Sequence, residues 1–277
     1  MIEIEDLVHV YPSGTRAVDG VSLSIGTGET VALVGQNGSG KSTLVRHLNG
    51  LQRPTEGRVV IDGVDASTRR VAQLAATVGL AFQDPDRQIF AGSVRGEVEF
   101  GPRNLGLGGT ALTEATEAAL TATGLAGEAD TNPYDLGYSR RKLLALASIL
   151  AMQTPIVVLD EPTTGQDARG VSRIERIVAE LAEDGRTVIA ITHDMRFAAA
   201  WFERIVVMRA GKVVLDGSPA EVFDGANWPV LASTYLEPPL AARVGVRLGL
   251  GSTPTVRALI ERLGEGCGGT IPDRTPG

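Results

Sequence analysis

The chain has 277 residues, a net charge of -7 and one cysteine, and 43% of it is hydrophobic. That composition supplies a sizeable core. The acidic balance, with no run of five like charges, excludes the footprint of a nucleic-acid binder, and a lone Cys267 excludes an internal disulfide or a cysteine-cluster metal site. The longest apolar stretch, Leu143 to Met152 interrupted by Ser148, is far short of the ~20 residues of a spanning helix. Met1 to Asp6 has neither a basic region nor an apolar core, so a cytosolic chain is expected.

In chain order, Ile2-Glu3-Ile4, Leu7-Val8-His9-Val10, Val18 to Ile25 and Thr30 to Val34 alternate or run apolar between turn residues, predicting short strands. Tyr11-Pro12 closes the first pair. Val31 to Val34 then delivers Gly35-Gln36-Asn37-Gly38-Ser39-Gly40-Lys41-Ser42-Thr43, and a helix is expected to continue through Leu44 to Leu48. Arg58 to Ile61 reads as a strand, Val71 to Ala76 as a short helix, and Val78 to Phe82 as a buried strand ending on Gln83-Asp84-Pro85-Asp86.

From Val94 to about Leu125 the spacing becomes helical, clearest at Ala111 to Thr123, with a break at Gly106 to Gly109. Ser139 to Met152 reads as an apolar helix opened by a serine cap and the basic run Arg140-Arg141-Lys142. Ile156 to Leu159 is a buried strand ending in Asp160-Glu161-Pro162. Val171 to Ala182 is an amphipathic helix, Val188 to Ile191 a strand ending in Thr192-His193-Asp194, and Ile205 to Met208 with Val213 to Leu215 a hairpin. Beyond Gly217 one helix is expected, at Thr255 to Leu263, and no order after Gly264. Strands alternating with helices predict a mainly parallel sheet.

The chemistry sits at strand ends, where open α/β sheets bind ligands. The pattern G-x-x-x-x-G-K-S from Gly35 to Ser42 is a P-loop: glycines let successive N-H groups turn inward, Lys41 adds a point charge, and Ser42 offers a hydroxyl to Mg2+. Asp160 supplies a carboxylate for the Mg2+ shell, and Glu161 is placed to orient or deprotonate an attacking water. His193 is read two ways, as a donor to a γ-phosphate or as an ordinary surface or core histidine.

Together these pieces resemble the nucleotide-binding domain of an ABC transporter, from about residue 2 to 225. Gly35 to Ser42 is similar to a Walker A, Gln83 to a Q-loop, Ile156 to Glu161 to a Walker B with its glutamate, Asp167 to a D-loop aspartate and His193 to an H-loop switch. Phe82 to Phe90, Val98 to Leu107 and Leu48 to Leu51 resemble the ATPases of energy-coupling factor (ECF) transporters, importers of vitamins and transition-metal ions. The tail from Leu236 to Leu263 is similar to that group's C-terminal helical extension.

The resemblance implies ATP and Mg2+ as ligands. Tyr11, Gly35, Asn37, Gly38, Ser39, Gly40, Lys41, Ser42 and Thr43 would bind the nucleotide. Ser42, Gln83 and Asp160 would hold Mg2+, and Glu161, His193 and Gln83 would act in catalysis. Tyr11 either stacks on adenine or packs at its strand end. The implied architecture is an α/β P-loop NTPase over residues 1-225, with a mainly parallel sheet core, an N-terminal antiparallel β subdomain and an inserted α-helical subdomain at about 94-152. A short C-terminal helical extension occupies 226-277. The implied place is the cytoplasmic face of the membrane, peripherally bound. Partners would be a second ABC ATPase, an integral membrane coupling protein and a substrate-binding membrane component, with no nucleic acid.

One motif departs from the family pattern. The signature usually written L-S-G-G-Q falls on Leu136-Gly137-Tyr138-Ser139-Arg140, so Gly137 replaces the serine and Tyr138 a glycine, and the D-loop reads Gly165-Gln166-Asp167 where Leu or Met before the Asp is commoner. Two outcomes stand. Either Ser139, Arg140 and Arg141 rebuild the contact to the opposite subunit's ATP, or a heterodimer is required, which is favoured. The rival functions are a soluble ABC ATPase of translation or DNA repair, which usually has two nucleotide domains or a coiled-coil insertion, and a kinase or GTPase, for which no N-K-x-D motif is present.

Overall fold

The computed structural model describes residues 1-266. Its strands are β1 (Ile2–Val10), β2 (Arg16–Ile25), β3 (Thr30–Val34), β4 (Glu56–Ile61), β5 (Val64–Asp65), β6 (Val78–Ala81), β7 (Ile156–Asp160), β8 (Thr187–Ile191), β9 (Arg204–Arg209) and β10 (Lys212–Gly217). The helices are α1 (Lys41–Leu48), α2 (Val71–Leu74), α3 (Val94–Asn104), α4 (Gly109–Thr123), α5 (Tyr138–Ala151), α6 (Ala168–Glu183) and α7 (Met195–Trp201). After the hairpin follow α8 (Pro219–Val222), α9 (Trp228–Ala232), α10 (Leu240–Arg247) and α11 (Val256–Gly266).

The strands form an antiparallel sheet ordered β2-β1-β4-β5 and a larger one ordered β10-β9-β3-β8-β7-β6, parallel except at the β9/β10 hairpin. β3, β7 and β8 are buried at every residue. Their alternate side chains enter two different cores, which is why they read as unbroken apolar runs. Ala32, Val34, Val157 and Leu159 face the helical side with α5 and α6. Val31, Leu33, Ile156 and Val158 face the antiparallel sheet and the Leu44, Val45 and Leu48 stripe of α1. This packing sets the strand ends of β3, β6, β7 and β8 along one edge. α3, α4 and α5 form the inserted helical unit.

Three local expectations are corrected. The two short strands expected before Tyr11 are one strand, β1, whose pairing slips between Ile4 and Leu7 where Asp6 takes a positive φ of 43° and Gly57 packs against the Asp6 carbonyl. Ser139 does not cap α5: the helix begins at Tyr138 with Gly137 at the N-cap and no side-chain cap bond, because the Ser139 hydroxyl is bonded to Gln166 instead. Among the described residues, the segment after Gly217 holds four helices, not one, and α11 runs through Gly266. The rest of the end expected to lack order, residues 267-277, lies outside the described residues, as does Cys267.

Candidate active site

A cleft of about 280 Å3 opens at the shared strand edge, lined by Asn37 through Thr43, Gln83, Asp160, Glu161 and Ile191. The loop between β3 and α1 fits there because two glycines are sterically required. Gly35 has φ 148° and Gly40 φ 103°, and a Cβ on either would collide with a backbone carbonyl, Met208 O or Ala17 O. The Lys41 ammonium donates to Gly35 O at 2.7 Å, Gln36 O at 3.0 Å and Ser39 Oγ at 3.3 Å. Burial lowers its pKa, while Glu161 and Asp160 pull it back up.

β7 delivers the two acids. Asp160 is buried, and one of its oxygens, Oδ1, has no hydrogen-bond partner among the described residues. Burial raises its pKa, and the neighbouring Ser42 hydroxyl opposes that shift. An uncompensated buried carboxylate oxygen beside a hydroxyl, with the Gln83 amide lining the same cleft, is an all-oxygen donor set that suits Mg2+. Glu161 is also buried, and its carboxylate accepts from His193 Nδ1 at 2.7 Å and Thr164 Oγ1 at 3.2 Å. Its backbone has a positive φ of 51°, and its N-H donates to Ile191 O on β8 at 2.9 Å.

Of the residues expected from sequence, Asn37 to Thr43, Gln83, Asp160 and Glu161 line one cleft. His193 joins them through Glu161. Gly35 lies just behind, at the turn. Tyr11 is not part of the lining: it is half-buried, with its hydroxyl 3.0 Å from Thr43 Oγ1 and its ring edge-on to His9. Behind it His9 and His47 are buried and bonded to each other at 3.1 Å, and His47 Nδ1 donates to Thr43 O at 2.7 Å.

Sequence reasoning missed the residues that join α5 to this site. Lys142 Nζ donates to Glu161 O and to Thr164 O, the latter at 2.8 Å. Gln88 accepts from Phe82 N at 3.1 Å and donates to Ala145 O at 2.7 Å and Ser148 Oγ at 2.9 Å, fastening the segment after Gln83 to α5. Arg140 pairs with Glu128 and donates to Gly124 O, and Arg141 pairs with Asp86 and donates to Leu136 O. The available signal was that Lys142, last of the basic run, directly abuts the apolar stretch Leu143 to Ala147, where a buried cation needs dedicated acceptors.

The model of the family described as ABC transporter matches residues 18–164. The energy-coupling factor transporter ATP-binding protein EcfA of Methanothermobacter thermautotrophicus is 42% identical over 229 residues, 82% of this chain and 74% of that protein. The EcfA of Methanocaldococcus jannaschii is 41% identical over 225 residues, 80% of this chain and 81% of its own. Among solved structures, cbiO1 from Clostridium perfringens, part of the ABC transporter complex cbiONQ, superposes with a TM-score of 0.73 at 35% identity, covering 90% of this chain and 98% of that one. A dimeric ATP-binding cassette in a post-hydrolysis state with ADP and phosphate gives a TM-score of 0.72 at 28% identity, covering 79% and 98%.

Proposed function

Since the chain belongs to the ABC transporter ATPase family, we propose that it is the ATP-hydrolysing subunit of an ECF-type importer for a micronutrient, a vitamin or a transition-metal ion. The observation that carries this reading is the convergence of the P-loop, Gln83, Asp160 and Glu161 on one cleft, in a chain whose relatives are named for such transporters.

In this reading the P-loop N-H groups and Lys41 bind the β- and γ-phosphates, with Lys41 exchanging its loop carbonyls for phosphate oxygens. Ser42, Asp160 and Gln83 would hold Mg2+, which would neutralise charge on the phosphates. Glu161 aligns or deprotonates the attacking water, and His193 fixes the Glu161 carboxylate from the solvent side. Tyr11, outside the cleft lining but bonded to Thr43, would stack on the adenine. Residues 226-277 form an extension to the nucleotide-binding unit of residues 1-225.

No helix among the described residues is long and apolar enough to cross a membrane. In this reading the chain binds an integral membrane partner peripherally, at the cytoplasmic face. The working ATPase pair is a heterodimer. Ser139, Arg140 and Arg141, the groups that could rebuild the signature contact, are all engaged within their own chain. Purification of the tagged chain from detergent-solubilised membranes, with mass spectrometry of what accompanies it, tests the reading. A multi-spanning membrane protein and a second ATPase are expected; recovery of soluble ribosomal or DNA-repair factors alone would refute it.

A further inference from the structure

The first turns of α5 grip the loop that carries Glu161, within a single chain. Lys142 is buried, forms no ion pair with an acidic side chain among the described residues, and spends its ammonium on two carbonyls of that loop, Glu161 O and Thr164 O. One turn earlier, Ser139 and Gln166 exchange two bonds: the hydroxyl donates to Gln166 Oε1 at 2.7 Å, and Gln166 Nε2 donates to Ser139 O at 3.0 Å. Beside them the Tyr138 ring lies against Gly165, where an added Cβ would come within 2.9 Å of Tyr138 Cε1. Two residues of the altered signature therefore meet the loop before Asp167: Tyr138 meets Gly165, and Ser139 meets Gln166.

The loop needs such support. A positive φ costs a non-glycine residue about 1–2 kcal/mol, and Glu161 holds φ 51°. Unsupported, its backbone would relax and carry the carboxylate with it. Two charge-assisted bonds from one ammonium fix the direction of the Glu161 carbonyl and tie it to Thr164, whose own hydroxyl reaches the Glu161 carboxylate. Lys142 is outside the cleft lining, on the far side of Asp160 and Pro162, so its removal leaves the phosphate-binding groups in place.

We propose that Lys142 is a positioning residue for Glu161, and that the Ser139–Gln166 and Tyr138–Gly165 contacts complete a clamp by which this chain's altered signature segment serves its own catalytic loop. The inference rests on Glu161 being the water-aligning group. A misplacement of about 1 Å at such a group costs up to a hundredfold in rate. Burial lowers the Lys142 pKa to about 8, while Glu161 and Asp160 pull it back up.

The test compares ATPase kinetics of the assembled transporter carrying K142M, E161Q or both, with ATP affinity of the full chain measured by a fluorescent ATP analogue. K142M should lower kcat by about tenfold to a hundredfold, leave ATP affinity within about twofold, and cause no further loss in the E161Q background. Wild-type kcat in K142M beside an inactive E161Q overturns the clamp alone, as does an equal loss of ATP affinity. An active E161Q overturns the role of Glu161 and the clamp with it. Should K142M fail to fold, the S139A, Q166L and double variants decide: each single should slow turnover at unchanged affinity, and the double should be no worse than either. Additive losses or unaltered rates refute the clamp.

Discussion

His193 Nδ1 lies 2.7 Å from Glu161 Oε2, so the histidine that follows β8 meets the glutamate that follows β7 across adjacent parallel strands. The contact ties the candidate water-aligning group to a largely exposed ring, one that a γ-phosphate or a partner subunit could reach. The Glu161→Gln variant should retain ATP binding and lose turnover by roughly a hundredfold or more, because it removes the acceptor of a proton but no phosphate donor. Lys41→Ala should instead lose binding. Nucleotide-binding titration and phosphate release, measured side by side, separate the two; near wild-type hydrolysis by the Gln variant contradicts the assignment.

The segment from Asp84 to Asn104 should dock a cytoplasmic helix of the membrane partner. Phe90 and Phe100 are 58% and 49% exposed and pack edge-on with ring centroids 4.6 Å apart, forming an apolar surface next to the Gln83 segment that Gln88 fastens to α5. Photocrosslinkers at Arg87 or Phe90 in the assembled transporter should label that partner. Labelling confined to the ATPase pair argues against it.

The chain alone should hydrolyse ATP far more slowly than the complete transporter. A homodimer would present Gly137 and the 44% exposed Tyr138 where a serine and a glycine approach the γ-phosphate, at both sites. Losing one preorganised donor costs roughly a hundredfold to a thousandfold in rate. A rate equal to that of the complex, with second-order dependence on this chain only, is incompatible with obligate heterodimer catalysis.

Stability should fall as pH drops below the ordinary histidine value of 6.5, in part through His47. Burial holds its imidazole below that value, against the pull of the Thr43 carbonyl. The unfolded chain then binds a proton that the folded chain refuses, so unfolding is favoured as pH falls through 6.5 and the effect levels off only below the folded pKa. Urea midpoints between pH 7.5 and 5 should fall less steeply in His47→Gln than in the parent; equal slopes would assign the acid sensitivity elsewhere.

The central strands and the cleft were legible because their signals are local. Thr30 to Val34 is buried on both faces, so every residue is apolar or small, and the glycines that follow satisfy steric demands visible in their spacing. What escaped notice depends on distant partners. Ser139 reads as a helix cap until Gln166 is seen to take its hydroxyl, and Lys142 reads as one member of a basic run until the carbonyls of Glu161 and Thr164 are seen to take its ammonium. The helix Leu240–Arg247 was obscured by Gly245 in its interior, yet Thr253 packs so closely there that a Cβ would collide with it.

The order of the larger sheet also governs how the site is made. β3, which ends in the P-loop, pairs with β8 and β9, so Thr30 waits for Val188 and Val31 for Arg204 before the strand has neighbours. On a ribosome adding about 5–20 residues per second, that wait lasts many seconds, during which an apolar strand has no edge to join. The phosphate cradle is therefore encoded early and assembled late. Nascent chains halted before β8 should bind no nucleotide, and the unpaired Val31-Ala32-Leu33-Val34 segment is where a stalled chain would be expected to aggregate.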